Sequence, residues 1–592
     1  MCFLWGFLSK PAFMPAFFIS EVPFRLFRKS LIEPFPRKVV IYNTFHNGKD
    51  LFMKKLLVYL IPLLLLLPAF GLRDYHQNNE LRYISIADEA LSDGTWFTFH
   101  NDGIPYADKP PLYFWMLMGV KTLTGRHLMW IEALFTLIPA FVILYIMNIW
   151  TFRRQRLTDI LPPMLTLLTT GMFIGSTMIL RMDMMMAMFI ILSLYIFHRM
   201  YEGRGTKADS YLMPLCIFLA VFSKGPVGII VPFLSIFIFL LFERKIKTLF
   251  RYLGWRTWIV LLPLFGIWFL RVYREGGTAY IDNLLFDQTV KRGIAATHHK
   301  EPFWFYFARI WMVGAPWVIF CAVIMVKAFH RKLMDSDSTL RLFGVVIIST
   351  LIMLSCASGK LDIYLLPAYP FMVYFAFRVL YEIKPDTWVK AAVALPAIAL
   401  LMAYPALFIL TEHTPVIPKN TFFLYFGAMI LTAGGAYALW AVFKGNLRHA
   451  FPAVGGSILA FIFIGSFYIP QFNDYMGLRN LSHRTEEVAR KEQISNLAFY
   501  KFRGGENMTV FMPQKMKRIA TTTQLYQLGL DSVPTLLLIR VRDVEKNPVI
   551  SSFLNQRPVL EVGNYRGYVV PNSFAPGKKE VQPVACSPKY FY

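Results

Sequence analysis

Cysteine is scarce, and nothing in its placement suggests pairing. The 592 residues hold five, at Cys2, Cys216, Cys321, Cys356 and Cys586. The odd total, with three of the five inside apolar runs, excludes a disulfide framework, and no spacing matches a zinc site. Charge is thin as well, at 16% of the chain against roughly 25% in an average soluble domain. Acids are the scarcer sign, 36 against 61 Lys and Arg, for a net charge of +25. Such an excess can mark a nucleic-acid partner. Here the basic residues sit mostly in short loops between apolar runs, which is what membrane topology demands, so nucleic acid is set aside. The chain shows no nucleotide-binding glycine loop and no internal repeat.

What the chain has in abundance is apolar length. It is 56% hydrophobic, with a mean hydropathy of +0.46. Runs of about 17–25 apolar residues suit transmembrane helices. They fall near 55–71, 128–150, 160–180, 184–201, 210–222, 226–242, 257–273, 304–327, 340–357, 362–380, 388–410, 421–443 and 450–469. The expected fold class is a polytopic all-α membrane protein of about 13 transmembrane helices. Under this count one side receives every basic loop: Arg153, Arg154 and Arg156; Arg204 and Lys207; Arg244, Lys245, Lys247 and Arg251; Lys327, Arg331 and Lys332; Arg378 and Lys384; Lys444 and Arg448. The positive-inside rule makes that side cytoplasmic. The other side, periplasmic for a bacterial inner membrane, receives 72–127, 181–183, 223–224, 274–303, 358–360, 411–420 and everything past 470.

Residues 1–52 are basic, rich in Phe and Pro, and without a clear period. Met53-Lys54-Lys55 before a Leu-rich run reads as the natural start, so 1–52 is expected to be a start-site extension or disordered. The alternative is an amphipathic or additional membrane segment at 1–20. Residues 53–470 form the expected membrane domain. Beyond them charge rises, and strand-like runs occur at 508–512, 535–541 and 567–570. Helical spacing over 482–500 and a Gly504-Gly505 turn complete the pattern, so 471–592 is expected to be a small C-terminal α/β domain.

Charged side chains at the edges of membrane spans are costly unless paired or facing water, which makes them functional candidates. Glu80, just past the first span, suits general-base work on a hydroxyl at the interface. The alternative is that Glu80 and Arg82 form an ordinary interfacial pair. Lys109, held before Pro110-Pro111, suits a phosphate as a point charge. Asp183 lies where two apolar runs abut, and Arg181 beside it is either a local partner or part of a site. Lys224 and Lys360 also sit at outer span ends. Singly each reads as a snorkelling anchor; together with Lys109 they would neutralise a diphosphate or phospholipid head group. The loop 274–303 holds Asp287, Gln288, Lys291, Arg292, His298 and His299, too many polar groups for a simple connector. Its histidine pair fits a metal ligand set less simply than polar loop residues.

In chain order, Glu80-Leu81-Arg82-Tyr83 is followed by Lys109-Pro110-Pro111-Leu112, Arg181-Met182-Asp183 and Ser223-Lys224-Gly225. His299-x-x-Pro302-x-Trp304-x-Tyr306 comes next, then Ser358-Gly359-Lys360-Leu361 with Tyr364 and Pro367. The ordered set resembles the GT-C class of membrane glycosyltransferases, over about residues 53–470. Within that class it resembles the lipid A 4-amino-4-deoxy-L-arabinose transferases and the dolichyl-phosphate-mannose-protein mannosyltransferases. The resemblance implies a polyprenyl-phosphate sugar donor, inversion at the anomeric carbon, and chemistry at the periplasmic face. It implies lipid A or a related envelope glycolipid as acceptor. Asp183 carries over as a catalytic residue, and Lys109 and Lys224 as partners of the lipid phosphate. Arg82, Tyr83, Lys360 and Tyr364, with Lys291 and Arg292 of the later loop, complete the expected substrate-binding set. The family's usual Asp-Glu-x-Arg-Tyr has Asn79 in place of its Asp, so Glu80 is the expected catalytic substitute. The family's Glu before Lys-Pro is Asp108, and its later acid–His pair is Asp287-Gln288, so neither a metal site nor a cofactor is carried over.

Two other readings stay open. One is a protein O-mannosyltransferase-like enzyme. The other, of a different class, is a transporter or flippase. A transporter would place ionisable residues mid-span, with broken helices and repeat symmetry; here they cluster at outer span ends. The expected partners are the sugar donor, the envelope acceptor and membrane lipids.

Overall fold

The computed structural model describes residues 56–152, 156–285, 300–413, 421–555 and 557–571. The expectations for 1–52, and for Lys291, Arg292 and the histidine pair, lie outside these residues.

The apolar runs fall on helices, but length sorts them. Among the described residues, seven helices are long and apolar enough to cross a membrane, or nine if each of two bent pairs is one span. Leu56–Gly71, Val227–Phe242 and Ala368–Leu380 are apolar but shorter, and Asp209–Lys224 has 16 residues. A helix of 16 residues reaches about 24 Å, less than the roughly 30 Å of a hydrocarbon core. Length and composition alone therefore support seven to nine of the thirteen expected spans.

The bent pairs are Leu157–Leu168 with Gly171–Met178, at 73°, and Phe305–Val313 with Val318–His330, at 118°. Pro316 lies at the second break, where proline lacks the N–H that would continue a helix. A broken helix strands backbone groups that apolar surroundings cannot satisfy. Here the two breaks satisfy each other. The Gly171 N–H donates to Ala315 O at 2.7 Å, and Trp317 Nε1 donates to Thr169 Oγ1 at 2.9 Å. Glycine permits this approach, since a Cβ at 171 would stand 3.0 Å from Val313 O.

The span ends next to the basic loops are tied to one another. Arg378 pairs with Asp337 and donates to Thr151 O at 2.6 Å. Tyr381 donates from its hydroxyl to Asp159 O at 3.0 Å. Glu243 pairs with Arg341 and accepts from the Tyr201 hydroxyl at 2.5 Å. The opposite span ends meet the C-terminal part of the chain. Asn473 Nδ2 donates to Leu72 O at 3.0 Å, the Arg479 N–H to Asp74 Oδ2 at 2.8 Å, and the Tyr565 hydroxyl to Gln77 Oε1 at 2.8 Å.

A small hairpin, β1 (His100–Asn101) and β2 (Ile104–Pro105), turns on Asp102 and Gly103, both at positive φ. The C-terminal sheet comprises β3 (Asn496–Tyr500), β4 (Lys517–Ile519), β5 (Thr535–Arg540), β6 (Leu560–Val562) and β7 (Tyr565–Val570). Its order is β4-β3-β5-β7-β6. β3 runs parallel to β4 and β5, while β7 is antiparallel to β5 and β6. Successive side chains on a strand face opposite sides. Leu497, Phe499, Leu536 and Leu538 accordingly join the core shared with the membrane helices. Ala498, Tyr500, Leu537 and Ile539 join a second core with Leu525, Leu528 and Ile550. With both faces buried, no polar alternation marks 496–500 as strand, and the expected helix over 482–500 ends at Lys491. The expected strand at 508–512 is instead a turn of 3-10 helix, Gly505–Val510. Met508 and Met512 are both buried, and four residues apart they share one face of a helix or of a strand alike, so their spacing does not separate the two.

Candidate active site

Asp183 opens the Asp183–Tyr201 helix, and Lys224 closes the Asp209–Lys224 helix. Helix dipoles favour an anion at an N-terminus and a cation at a C-terminus. The two helices pack together and bring these ends to one place. Lys224 Nζ donates to Asp183 Oδ1, with the side chains only 7% and 1% exposed. The ammonium also stands 4.6 Å from the centroid of the Tyr364 ring, a cation–π contact. Arg181 Nε lies 3.2 Å from Asp183 Oδ2, yet out of line for a hydrogen bond. Oδ2 has no hydrogen-bond partner among the described residues. Lys109 and Arg181 both lie close enough to act electrostatically on Lys224. One buried carboxylate, with an oxygen free of hydrogen bonds among the described residues, thus has two basic side chains beside it, and Lys109 acts on one of them.

Glu80 is placed differently. It is the first residue of the Glu80–Asp93 helix and 1% exposed. Arg73 clasps it with both guanidinium ends, Nη1 to Oε2 at 2.5 Å and Nη2 to Oε1 at 2.7 Å. The His76 N–H donates to Oε2 at 2.9 Å, and the Leu180 N–H to Oε1 at 2.8 Å. Each oxygen thus accepts two bonds, which uses the acceptor capacity of a carboxylate.

The other expected residues divide. Arg82 donates to Asn79 Oδ1 at 3.2 Å and lies 5.4 Å from the centroid of the Tyr106 ring. Tyr83 is 2% exposed and packs edge-on against Tyr113 and Phe114, so it is a core residue. Lys109 donates to Asp108 O at 3.0 Å just before the Leu112–Thr124 helix. Lys360 is 3% exposed and donates to Ala357 O at 2.5 Å and Glu301 O at 2.8 Å. Its ammonium closes the junction where Lys300 bridges to Gly359. Lys291 and Arg292 fall outside the described residues. Among those residues no group of three His, Cys, Asp or Glu side chains is placed to hold a metal ion.

Two residues at this end were not read from the sequence. Arg73 stands seven positions before Glu80, a separation that suggests no contact without a helix between them. Glu275 Oε1 accepts from the Trp96, Phe97 and Thr98 amides at 2.9, 2.9 and 2.8 Å, and so holds the segment that leads to Lys109. The adjacent Glu275-Gly276-Gly277 was the one signal, since Gly277 at φ 68° turns the helix there.

No protein-family model matches the chain. It is 26% identical over 327 residues to an uncharacterized protein of Aquifex aeolicus, across 54% of this chain and 62% of that protein. It is 24% identical over 324 residues to an undecaprenyl phosphate-alpha-4-amino-4-deoxy-L-arabinose arabinosyl transferase of Erwinia tasmaniensis, across 53% and 55%. The chain therefore spans between half and two thirds of the length of these curated relatives. The crystal structure of ArnT from Cupriavidus metallidurans bound to undecaprenyl phosphate superposes with a TM-score of 0.70 at 15% identity, covering 88% of this chain and 99% of that one. The chain is a multi-pass membrane protein with the GT-C fold of ArnT, and in sequence it resembles the arabinosyl transferases named for undecaprenyl phosphate.

Proposed function

We propose that the chain is an inverting glycosyltransferase that moves a sugar from a polyprenyl-phosphate donor to an envelope acceptor, lipid A or a related glycolipid. The observation that carries this reading is Asp183: a buried carboxylate whose Oδ2 has no hydrogen-bond partner among the described residues, ion-paired with Lys224 and Arg181, with Lys109 acting electrostatically on Lys224. The likeness to ArnT, crystallised with undecaprenyl phosphate, supports it.

In this reading the acceptor hydroxyl attacks the anomeric carbon while the bond from that carbon to the phosphate oxygen breaks, and configuration inverts. The hydroxyl proton passes to Asp183 Oδ2. The electron pair of the broken bond stays on the phosphate, which gains a negative charge, and Lys109 and Lys224 hold that charge in a poorly solvated site. A phosphate leaves without being protonated, so the site needs cations more than a second acid. Arg82 and Tyr364 line the substrate, while Glu80 stays outside the proton transfer. The active site and residues 471–592 face the periplasm from a bacterial inner membrane, the basic loops face the cytoplasm, and residues 53–470 form the transferase domain.

The test is transfer by the full chain in detergent, from synthetic polyprenyl-phosphate sugars to lipid A, read by mass spectrometry. One added sugar on lipid A is the expected product. Transfer to peptide would redirect the reading to protein O-glycosylation, and no transfer from any such donor would end it.

A further inference from the structure

We infer that Arg73 and Glu80 act as one positioning unit that sets the place of the Asp183 carboxylate. The inference rests on the reading above, in which Asp183 takes the acceptor's proton. Asp183 begins its helix directly after the joint with the Gly171–Met178 helix, and the joint is held from outside. Glu80 Oε1 accepts the Leu180 N–H at 2.8 Å. Arg73 Nη2 donates to Met178 O at 3.1 Å, a carbonyl left open where the helix ends. Both bonds reach across about a hundred residues, and together they pin the backbone on either side of Ile179. The pair is itself rigid, being a bidentate fork with the side chains 13% and 1% exposed.

Among the described residues, the Asp183 side chain is otherwise held by Lys224 and by its ion pair with Arg181. In the proposed reaction Oδ2 faces the acceptor, and its position depends on the backbone that Arg73 and Glu80 hold as well as on the bond from Lys224 to Oδ1. A carboxylate displaced by about 1 Å can lose on the order of a hundredfold in rate without losing substrate. Neither conservative replacement can do the same job. Lysine cannot fork to two carboxylate oxygens, and glutamine turns one acceptor oxygen into a donor.

The experiment uses the full chain in detergent with Arg73→Lys, Glu80→Gln and the double variant, each checked for folding by thermal shift. We expect each single variant to lower kcat about ten- to a hundredfold, with the donor KM held within about twofold, and the double variant to be no worse than the worse single, as for residues acting as a unit. Hydrogen exchange of the Leu180 amide should be slow in the parent and faster in both variants. Loss of all turnover in Glu80→Gln with Arg73→Lys within twofold of the parent would place Glu80 on the reacting atoms and overturn the inference. Near-normal turnover in both variants would overturn it too. If the parent transfers no sugar, the functional reading fails separately, and the Leu180 exchange still decides: unchanged exchange in the variants removes the clamp.

Discussion

Asp183 and Lys224 meet as the first residue of one helix and the last of its neighbour, carboxylate to ammonium at the same buried end. Each helix dipole favours the charge it ends on, and in the proposed reaction the same pair sits where the phosphate leaves. The two roles separate on substitution. Lys224→Ala and Lys109→Ala are each expected to slow kcat by about a hundred- to a thousandfold, on the order of 3–4 kcal/mol of lost charge stabilisation. The assay is transfer from a synthetic polyprenyl-phosphate sugar. Near-normal turnover in both would make these lysines helix anchors.

Asp183→Asn keeps the shape of the side chain and removes its basicity, so it should abolish transfer. It also leaves Lys224 without its anionic partner, and a melting curve in detergent separates that effect from the chemistry. Asn79→Asp should be tolerated. Arg82 Nη2 already donates to Asn79 Oδ1 at 3.2 Å, and an aspartate oxygen accepts the same bond. A large loss of activity in Asn79→Asp would mean the neutral side chain matters.

Lys360 makes the contrasting case. Two of its three donors are spent on Ala357 O and Glu301 O. Lys360→Ala leaves those carbonyls without this donor and is expected to cost about 1–3 kcal/mol of stability. Turnover of the folded variant should stay within a few-fold of the parent. A hundredfold loss of turnover with an unchanged melting temperature would return Lys360 to the phosphate site.

Much of this was legible in the sequence because charge inside apolar sequence is conspicuous. Asp183 and Lys224 each interrupt a run of apolar residues, and the fold brings them together. Lys360 carries the same signal while its ammonium bonds two carbonyls; a lysine at a span end looks alike whether it faces a ligand or backbone. Glu80 was seen as an acid at the interface, but its four donors come from Arg73, His76 and Leu180. The contact with Leu180 exists only once the joint after Met178 has folded against the first outer segment. The broken helices were read as continuous spans because apolar composition runs straight through Thr169-Thr170 and Gly314. The sheet was half visible: β5 and β7 were found by their apolar runs, while β3 was hidden by burial on both faces.

His127 supplies a pH dependence whose sign follows from its neighbours. The ring lies between two carboxylates, Nε2 at 2.8 Å from Asp88 Oδ1 and Nδ1 at 2.7 Å from Glu132 Oε1. Both nitrogens must donate to make both bonds, which requires the imidazolium. Lys121 pairs with Asp88 at 2.5 Å, and the Tyr75 hydroxyl donates to Glu132 Oε2 at 2.8 Å. Burial is the largest single influence and opposes protonation, yet the bonds to Asp88 and Glu132 outweigh it and raise the His127 pKa above its ordinary 6.5. A group whose folded pKa is raised contributes stability that is complete below the unfolded value and is lost as pH rises through the folded value. The melting temperature of the parent should therefore fall as pH climbs from about 6.5 through the raised value. Deprotonation leaves Asp88 with Lys121 and Glu132 with Tyr75, so the loss should be partial and the chain should stay folded. In His127→Gln, which cannot change its charge, that part of the pH dependence should vanish. Parallel melting curves for parent and variant across this range would show that the ring is not charged between its two carboxylates.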